Sequence, residues 1–203
     1  MVDNFKQIKG LLNFRSPDDF YFLQILQRKK DHNNGKVNGS NNNSRLVKAY
    51  YIRSLEYFDF IEPEVKELCK LFNARAGINL NRRSYEKTAF HTLRKVADQI
   101  MNRDYTHINK AFNSVCGMYS SETDKKWLLD IDNLQKTETS FLETIKKRIK
   151  EFQPVGEKII CVIPSKTGFH FITKPFNLSE AEVFLEKNNL EVHKNNPTNL
   201  YIP

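Results

Sequence analysis

Residues 127–132 read Trp-Leu-Leu-Asp-Ile-Asp, an apolar run that carries two carboxylates two positions apart. Successive side chains of a β-strand point to opposite faces, so a strand over this run places Asp130 and Asp132 on one face. Two such carboxylates repel each other and lose hydration unless a cation compensates, and hard divalent ions prefer oxygen ligands of this kind. The pattern predicts a metal site. The same spacing also fits a strand that ends at Asp130, with Asp132 and Asn133 capping the next segment.

A second polar element lies further along, where residues 164–171 read Pro-Ser-Lys-Thr-Gly-Phe-His-Phe. Hydroxyls, an ammonium group and flexible backbone amides come together in this turn, which suits a triphosphate; they belong to Ser165, Lys166, Thr167 and Gly168. On the strand that follows, His170 faces the same side as Lys174. These residues predict a nucleotide site, and a plain polar hairpin with a structural histidine is the alternative.

The periodicity of residues 121–203 predicts an α+β domain, with a mixed or antiparallel sheet and helices packed on one of its faces. We expect a strand from Trp127, a helix at 138–152, strands at 158–163 and 169–173, a helix from Ser179, and short strands at 190–193 and 199–202.

Residues 1–120 are expected to form a largely helical α+β part that binds nucleic acid or docks a partner. A Ser-Pro-Asp-Asp start at residue 16 favours a helix over 17–27. An Asn- and Gly-rich loop at 29–44, a strand at 45–53 and a helix opening at Pro63 follow. The last elements are a strand over 75–83, a helix from Ser84 to Met101, and a helix at 106–115.

Composition narrows the class of protein. The 203 residues include 32 basic and 24 acidic side chains, a net charge of +8 that favours polyanionic partners. The three cysteines have no Cys-x-x-Cys spacing, which indicates buried thiols in a reducing compartment and no zinc module. No run approaches the roughly 18 apolar residues of a membrane span. We therefore expect a soluble, cytoplasmic protein with no membrane partner.

Basic and amide side chains alternate along the predicted strand and turn at 75–83, which suits contacts to the phosphates and sugars of DNA or RNA. The candidates are Arg75, Asn79, Asn81, Arg82 and Arg83, with Lys194 in a polar turn near the carboxyl terminus. The alternative is a solvated sheet edge that prevents pairing with other strands.

The Asp-x-Asp strand and the later Ser-x-x-Gly-x-His hairpin together resemble the archaeo-eukaryotic primase superfamily, which includes primase-polymerases and the polymerase domains of bacterial end-joining ligases. The resemblance covers residues 126–202 and implies an RRM-like catalytic core. It implies Mg²⁺ or Mn²⁺ on Asp130 and Asp132, and triphosphate contacts from Ser165 and His170. The family normally adds a third acid, an aspartate, but no aspartate follows His170; Glu191 is the strand-borne candidate for that place.

The resemblance thus implies a primase-polymerase-like nucleotidyltransferase that acts on DNA or RNA by a two-metal mechanism. It would use nucleoside triphosphates, within a larger replication or transcription assembly. Two alternatives stay open. One is a non-catalytic accessory protein or inhibitor that binds nucleic acid or a partner on the same scaffold. The other is a metal-dependent nuclease.

Overall fold

The computed structural model describes residues 1–31, 44–132 and 139–203. Most of the predicted loop at 29–44, and the proposed capping residue Asn133, lie outside these ranges. The described chain forms two compact units: residues 3–123 with 197–203 make up nearly all of the first, and residues 124–196 nearly all of the second. The predicted division fell at 120/121 and gave the carboxyl-terminal strand to the second domain, whereas this strand belongs to the first unit.

The first unit is built on a six-stranded sheet. Its strands are β1 (Val2–Asp3), β2 (Asp19–Arg28), β3 (Ser44–Ile52), β4 (Arg75–Ile78), β5 (Arg83–Ser84) and β10 (Thr198–Ile202). They are ordered β1-β10-β4-β2-β3, with β5 paired to β2. Its helices are α1 (Phe5–Lys9), α2 (Leu55–Leu71), α3 (Tyr85–Met101) and α4 (Ala111–Met118). We expected a largely helical α+β part; the unit is α+β, but a six-stranded sheet forms its centre.

The predicted helix at 17–27 is wrong, because this segment is β2, the strand with most pairings in the sheet. Phe20, Tyr21, Phe22 and Leu23 are fully buried, so both faces of the strand are covered. A continuous apolar run of this kind fits a buried strand as well as a helix. The preceding polar residues form a turn in which the Asp19 carboxylate accepts from the backbone N–H groups of residues 15 and 16.

Other boundaries differ in a similar way. Helix α2 begins at Leu55, after Ser54 accepts a hydrogen bond from the Tyr57 N–H at 3.1 Å, so Pro63 lies inside the helix and does not open it. The helix predicted at 106–115 is displaced to α4. The predicted helix from Ser84 to Met101 is confirmed as α3, where the Ser84 Oγ accepts from the Lys87 N–H at 3.1 Å.

The second unit confirms the predicted strand and helix order between residues 127 and 193. Its elements are β6 (Trp127–Asp132), α5 (Thr139–Glu151), β7 (Ile159–Pro164), β8 (Gly168–Thr173), α6 (Leu178–Lys187) and β9 (Glu191–His193). The four strands are ordered β7-β8-β6-β9, and each neighbouring pair is antiparallel. This βαββαβ order, with β6 and β8 at the centre, is that of the split βαβ motif.

One face of the second sheet packs on its two helices. Leu129, Ile131 and Phe171 are buried in a cluster with residues of α5 and α6, such as Ile145 and Ala181. Because side chains alternate along a strand, the intervening residues of β6 and β8 lie on the opposite face of the sheet. The helices therefore cover one face, and the polar residues of the Asp-x-Asp strand lie on the other.

Across the described ranges, none of the helices combines the length and apolar character needed to span a membrane.

Candidate functional site

The site centres on Asp130, which lies on one of the two inner strands of the second sheet. Its backbone pairs with His170 on β8 and with Glu191 on β9. Directly paired residues of antiparallel strands place their side chains on the same face, with Cβ atoms about 5 Å apart. Strand pairing thus forms a row of His170, Asp130 and Glu191 across the sheet, on the face opposite the helices.

Within this row, the side chains of Asp130 and His170 approach each other. The Asp130 Oδ1 lies 3.4 Å from the His170 Nε2, with 28% of the aspartate side chain and 8% of the histidine side chain exposed. A buried imidazole thus lies beside a partly exposed carboxylate, and the pair is ionic when the imidazole is protonated.

Glu191 occupies the position that the third acid requires, but its carboxylate is turned along its own strand. The Glu191 Oε2 lies 3.4 Å from the Nε2 of His193, and 78% of the glutamate side chain is exposed. These two residues are two positions apart on β9 and therefore share a face. The sequence predicted a polar turn beginning at His193 beside the site, and the alternation in Leu-Glu-Val-His, residues 190–193, carried the signal that the two side chains share a face.

The hairpin between β7 and β8 meets the end of the Asp-x-Asp strand. Asp132 pairs in register with Gly168, and the Thr167 Oγ1 donates a hydrogen bond to the Asp132 Oδ1 at 2.8 Å. The turn is closed by the Ser165 N–H, which donates to the Gly168 carbonyl at 2.9 Å. The second aspartate and the predicted phosphate-binding turn are therefore in direct contact.

Gly168 makes this contact possible. A Cβ atom at this position would lie 1.8 Å from the carbonyl oxygen of Ile131, well inside van der Waals contact. Only glycine lets β8 approach β6 this closely at the turn, so the residue is required by packing between strands.

Ser165 is buried, and its Oγ has no hydrogen-bond partner among the residues that the structure describes. A buried hydroxyl without a partner costs free energy, which a ligand oxygen or an ordered water can recover. The neighbouring Lys166 and Thr167 side chains are exposed. The turn thus combines one buried hydroxyl with an exposed hydroxyl and an exposed ammonium group.

Lys174 and Lys194 lie at the other end of the sheet. Trp127, at the start of β6, pairs with Thr173, and the Lys194 Nζ lies 5.3 Å from the centre of the Trp127 ring. Lys174 is six residues from Gly168, about 20 Å along an extended chain. The nucleotide-site prediction required Lys174 to lie near the turn, but the structure places it at the opposite end of β8.

The other predicted nucleic-acid contacts lie inside the first unit. Phosphate contacts require accessible guanidinium groups, but Arg82 and Arg83 are buried. Arg82 donates to both carboxylate oxygens of Glu122, at 2.8 and 2.9 Å. Arg83 donates to the backbone carbonyls of Cys116 and Asn81, and burial lowers the pKa of its guanidinium to about 10.

The remaining residues of that set are also engaged within the fold. Asn79 and Asn81 are buried, and Arg75 forms an ion pair with Asp31. Glu122, the partner of Arg82, was not identified from the sequence because it lies 40 residues away in a polar segment. These side chains stabilise the first unit from within.

Among residues 1–31, 44–132 and 139–203, no three His, Cys, Asp or Glu side chains converge closely enough to hold a metal ion. No protein-family model, no curated protein and no solved structure matched this chain.

Proposed function

We propose that the second unit is the catalytic core of a primase-polymerase-like nucleotidyltransferase that acts on DNA or RNA. The observation that carries the proposal is the row of His170, Asp130 and Glu191 across one sheet face, with Asp132 joined to the Thr167 turn at its end. The βαββαβ order of the unit agrees with the RRM-like core that the sequence resemblance implies.

The register supports Glu191 as the third acid. It is one strand away from Asp130 and on the same face, a position that sequence spacing alone did not define. The substitution of glutamate for the usual aspartate lengthens the side chain by one methylene group and leaves its position on the sheet adjacent to the first acid.

The chemistry of the donor set suits a divalent cation, although the three carboxylates do not converge in the described part of the chain. Asp130, Asp132 and Glu191 supply hard carboxylate oxygens, which Mg²⁺ and Mn²⁺ prefer. These ions, when bound, lower the pKa of an attacking 3′ hydroxyl and neutralise charge on the leaving pyrophosphate. The Glu191 carboxylate now contacts His193, so ion binding competes with that contact.

The turn and the imidazole would hold the triphosphate. Lys166 and Thr167 offer charge and a hydroxyl at the exposed surface of the turn, and the Ser165 Oγ offers a hydroxyl that has no protein partner in the described ranges. His170, fixed beside Asp130, would place its ring between the acids and the phosphates. Charge-assisted hydrogen bonds of this kind orient a phosphate strongly.

The far end of the same sheet suits the nucleic-acid strand. Lys174 and Lys194 are exposed at the Trp127 end of β6, away from the turn. A backbone that ran from there toward Asp130 would bring a primer terminus to the acids while its phosphates met lysines. Arg75, Arg82 and Arg83 have no part in this proposal because their side chains are engaged inside the first unit.

Primer extension and dinucleotide synthesis with Mn²⁺ test the proposal, with the wild-type chain compared with Asp130→Ala/Asp132→Ala. The matched control is Glu143→Ala/Glu151→Ala, which removes two exposed carboxylates from α5. We expect the aspartate variant to lose synthesis by about a thousandfold or more, and the control to retain it. Equal synthesis by all three proteins would exclude the mechanism, and degradation of the nucleic acid without triphosphates would indicate the nuclease.

The second candidate is a non-catalytic nucleic-acid-binding protein on the same scaffold. The orientation of Glu191 toward His193 favours it, because three acids do not converge in the described chain. For this function we expect single-stranded nucleic acid to bind equally well with and without divalent ions, no synthesis under any condition, and weaker binding by Lys174→Ala/Lys194→Ala.

A further inference from the structure

Helix α3 turns its apolar face outward. Of its 17 residues, Thr88 is the one that is buried. The large apolar side chains are strongly exposed: Phe90 by 67%, Leu93 by 68%, Ile100 by 51% and Met101 by 81%. An amphipathic helix on the surface of a monomer normally shows the reverse arrangement.

These side chains form a continuous stripe. With Ala97, which is also exposed, they follow the spacing i, i+3, i+7, i+10 and i+11, which places them on one face of the helix over three turns. Single exposed apolar residues are common on protein surfaces, whereas contiguous patches mark interaction sites. We call this face, defined by Phe90, Leu93, Ala97, Ile100 and Met101, the α3 stripe.

Charged residues flank one edge of the α3 stripe in a definite order. Lys87 and Arg94 lie toward its amino-terminal end, and Asp98 lies one turn beyond Arg94 on the same edge. Arg94 and Asp98 are both exposed. Within the described part of the chain, neither takes part in an ion pair.

We propose that the α3 stripe is a dimer interface, occupied by the same helix of a second copy running antiparallel about a two-fold axis. In such an isologous contact each residue meets its counterpart across the axis. When the two-fold axis crosses the helix at the level of Val96, Arg94 of each copy lies opposite Asp98 of the other. Phe90 then lies opposite Met101. In an antiparallel helix pair the same edge of both helices meets, so the two Arg94–Asp98 pairs form together.

The order of charges identifies the occupant. The charged edge of α3 is basic before its midpoint, at Arg94, and acidic after it, at Asp98. Two copies of this edge are complementary only when the two helices run antiparallel. Ala97 lies near the axis, where a small side chain lets two helices approach closely. An unrelated partner would require no such self-complementarity of the stripe.

Charge exchange between chains tests this assignment. Arg94→Asp alone places two aspartates opposite each other, and Asp98→Arg alone places two arginines opposite each other. Each single variant is expected to dimerise about ten- to a hundredfold more weakly than the wild type. When the two variants are mixed, every contact pairs an aspartate with an arginine, so a heterodimer forms.

The mass of the full chain is measured by sedimentation equilibrium or light scattering, at a protein concentration of tens of micromolar. We expect a mass of twice 23.9 kDa for the wild type, 23.9 kDa for each single variant, and recovery of the doubled mass in the mixture. Leu93→Lys also gives the monomer mass. Leu71→Lys, which changes an exposed leucine on α2, keeps the dimer.

The outcomes are decisive in both directions. Recovery of the dimer on mixing also shows that the single variants fold, because misfolded chains would not associate specifically. A monomeric wild type, or single variants that stay dimeric, would overturn the assignment, and so would a mixture that stays monomeric.

Discussion

Glu191 lies directly opposite Asp130 on the neighbouring antiparallel strand, while its carboxylate lies 3.4 Å from His193. The backbone thus presents two acids side by side, and a histidine on the same strand holds the second acid away from the first. The glutamate side chain is largely exposed and the contact is ionic only when the imidazole is protonated, and ion pairs near the surface contribute about 0.2–1 kcal/mol. A weak contact of this size competes with a bound cation without preventing its binding.

Removal of His193 should therefore strengthen metal binding. We expect His193→Ala to bind Mn²⁺ about two- to fivefold more tightly than the wild type, because the Glu191 carboxylate no longer has a competing partner. Calorimetric titration or the paramagnetic resonance signal of unbound Mn²⁺ measures the change. His107→Ala, an exposed histidine in the first unit, is the control and should have no effect. Weaker Mn²⁺ binding by His193→Ala would instead make His193 a ligand.

Gly168→Ala should destabilise the second unit strongly. Its added Cβ would meet the Ile131 carbonyl oxygen at 1.8 Å, so β8 has to move away from β6 at the turn. Overpacking against backbone costs about 3 kcal/mol in the free energy of unfolding. Urea denaturation followed by the fluorescence of Trp127, the single tryptophan of the chain, measures the loss.

Gly117→Ala is the matched control for that experiment. Gly117 lies in α4, where an added Cβ would meet nothing within 4 Å. Alanine is favoured over glycine in a helix interior by up to about 1 kcal/mol, so this variant should be neutral or more stable. A similar loss of stability in both variants would argue against the close approach at Gly168.

The periodicity of apolar residues predicted the strands and helices of the second unit. It did not predict which strands, distant in sequence, pair with each other. The strand over residues 127–132 was recognisable because Leu129 and Ile131, which pack on the helices, alternate with the two aspartates. The position of Glu191 opposite Asp130 depended on strand order, which no local pattern encodes. The run from Phe20 to Leu23 was misassigned as helix because a strand buried on both faces lacks the alternation that identifies strands.

The residues next to Arg82 and Arg83 in the sequence likewise gave no indication that these two side chains are buried. Adjacent arginines in a polar segment normally indicate an exposed basic site. Here Glu122, remote in sequence, pairs with one of them, and backbone carbonyls accept from the other. Partners of this kind are defined by the tertiary fold and not by residue type.

Removing one partner of the buried ion pair between Arg82 and Glu122 should lower the stability of the first unit, because the other charge stays buried. Glu122→Ala removes the bidentate partner of the buried Arg82 guanidinium, which keeps the Asp19 carboxylate at 3.2 Å. We therefore expect the free energy of unfolding to fall by about 3 kcal/mol, the lower end of the range for a broken buried pair. Arg15→Ala is the control, since Arg15 approaches the same carboxylate at 3.8 Å and is half exposed. Its removal should cost less than about 1 kcal/mol. Comparable losses in both variants would contradict the difference in burial.

Asp18 should make α3 sensitive to acid. The Asp18 pKa lies below its usual value of 3.8, because its carboxylate is hydrogen-bonded to the Ser84 side chain and accepts from the Glu86 N–H. A lowered pKa stabilises the fold above the unfolded-state value and loses this effect as the pH falls through the folded-state value. Asp18→Asn keeps an acceptor oxygen but removes the negative charge, so it should be less stable than the wild type at pH 7 by about 0.3–1 kcal/mol, as for a charge near a helix amino terminus. The two proteins should converge below pH 3.8 in urea midpoints, whereas Glu182→Gln, an exposed change on α6, should show no such convergence.

The three cysteines should differ in reactivity according to burial. Desolvation raises the pKa of the Cys69 and Cys116 thiols to about 12, and both side chains are fully buried. Cys161, on the edge strand β7, is partly exposed, and burial raises its pKa as well. Because the thiolate is the reactive form, a disulfide reagent at pH 8 should modify Cys161 slowly and leave the other two intact in the native protein. All three thiols should react in urea, and Cys161→Ser should remove the native reaction. Cys116 is buried in a cluster with Phe20 and Phe22, so its rapid modification in the folded protein would show that this cluster opens.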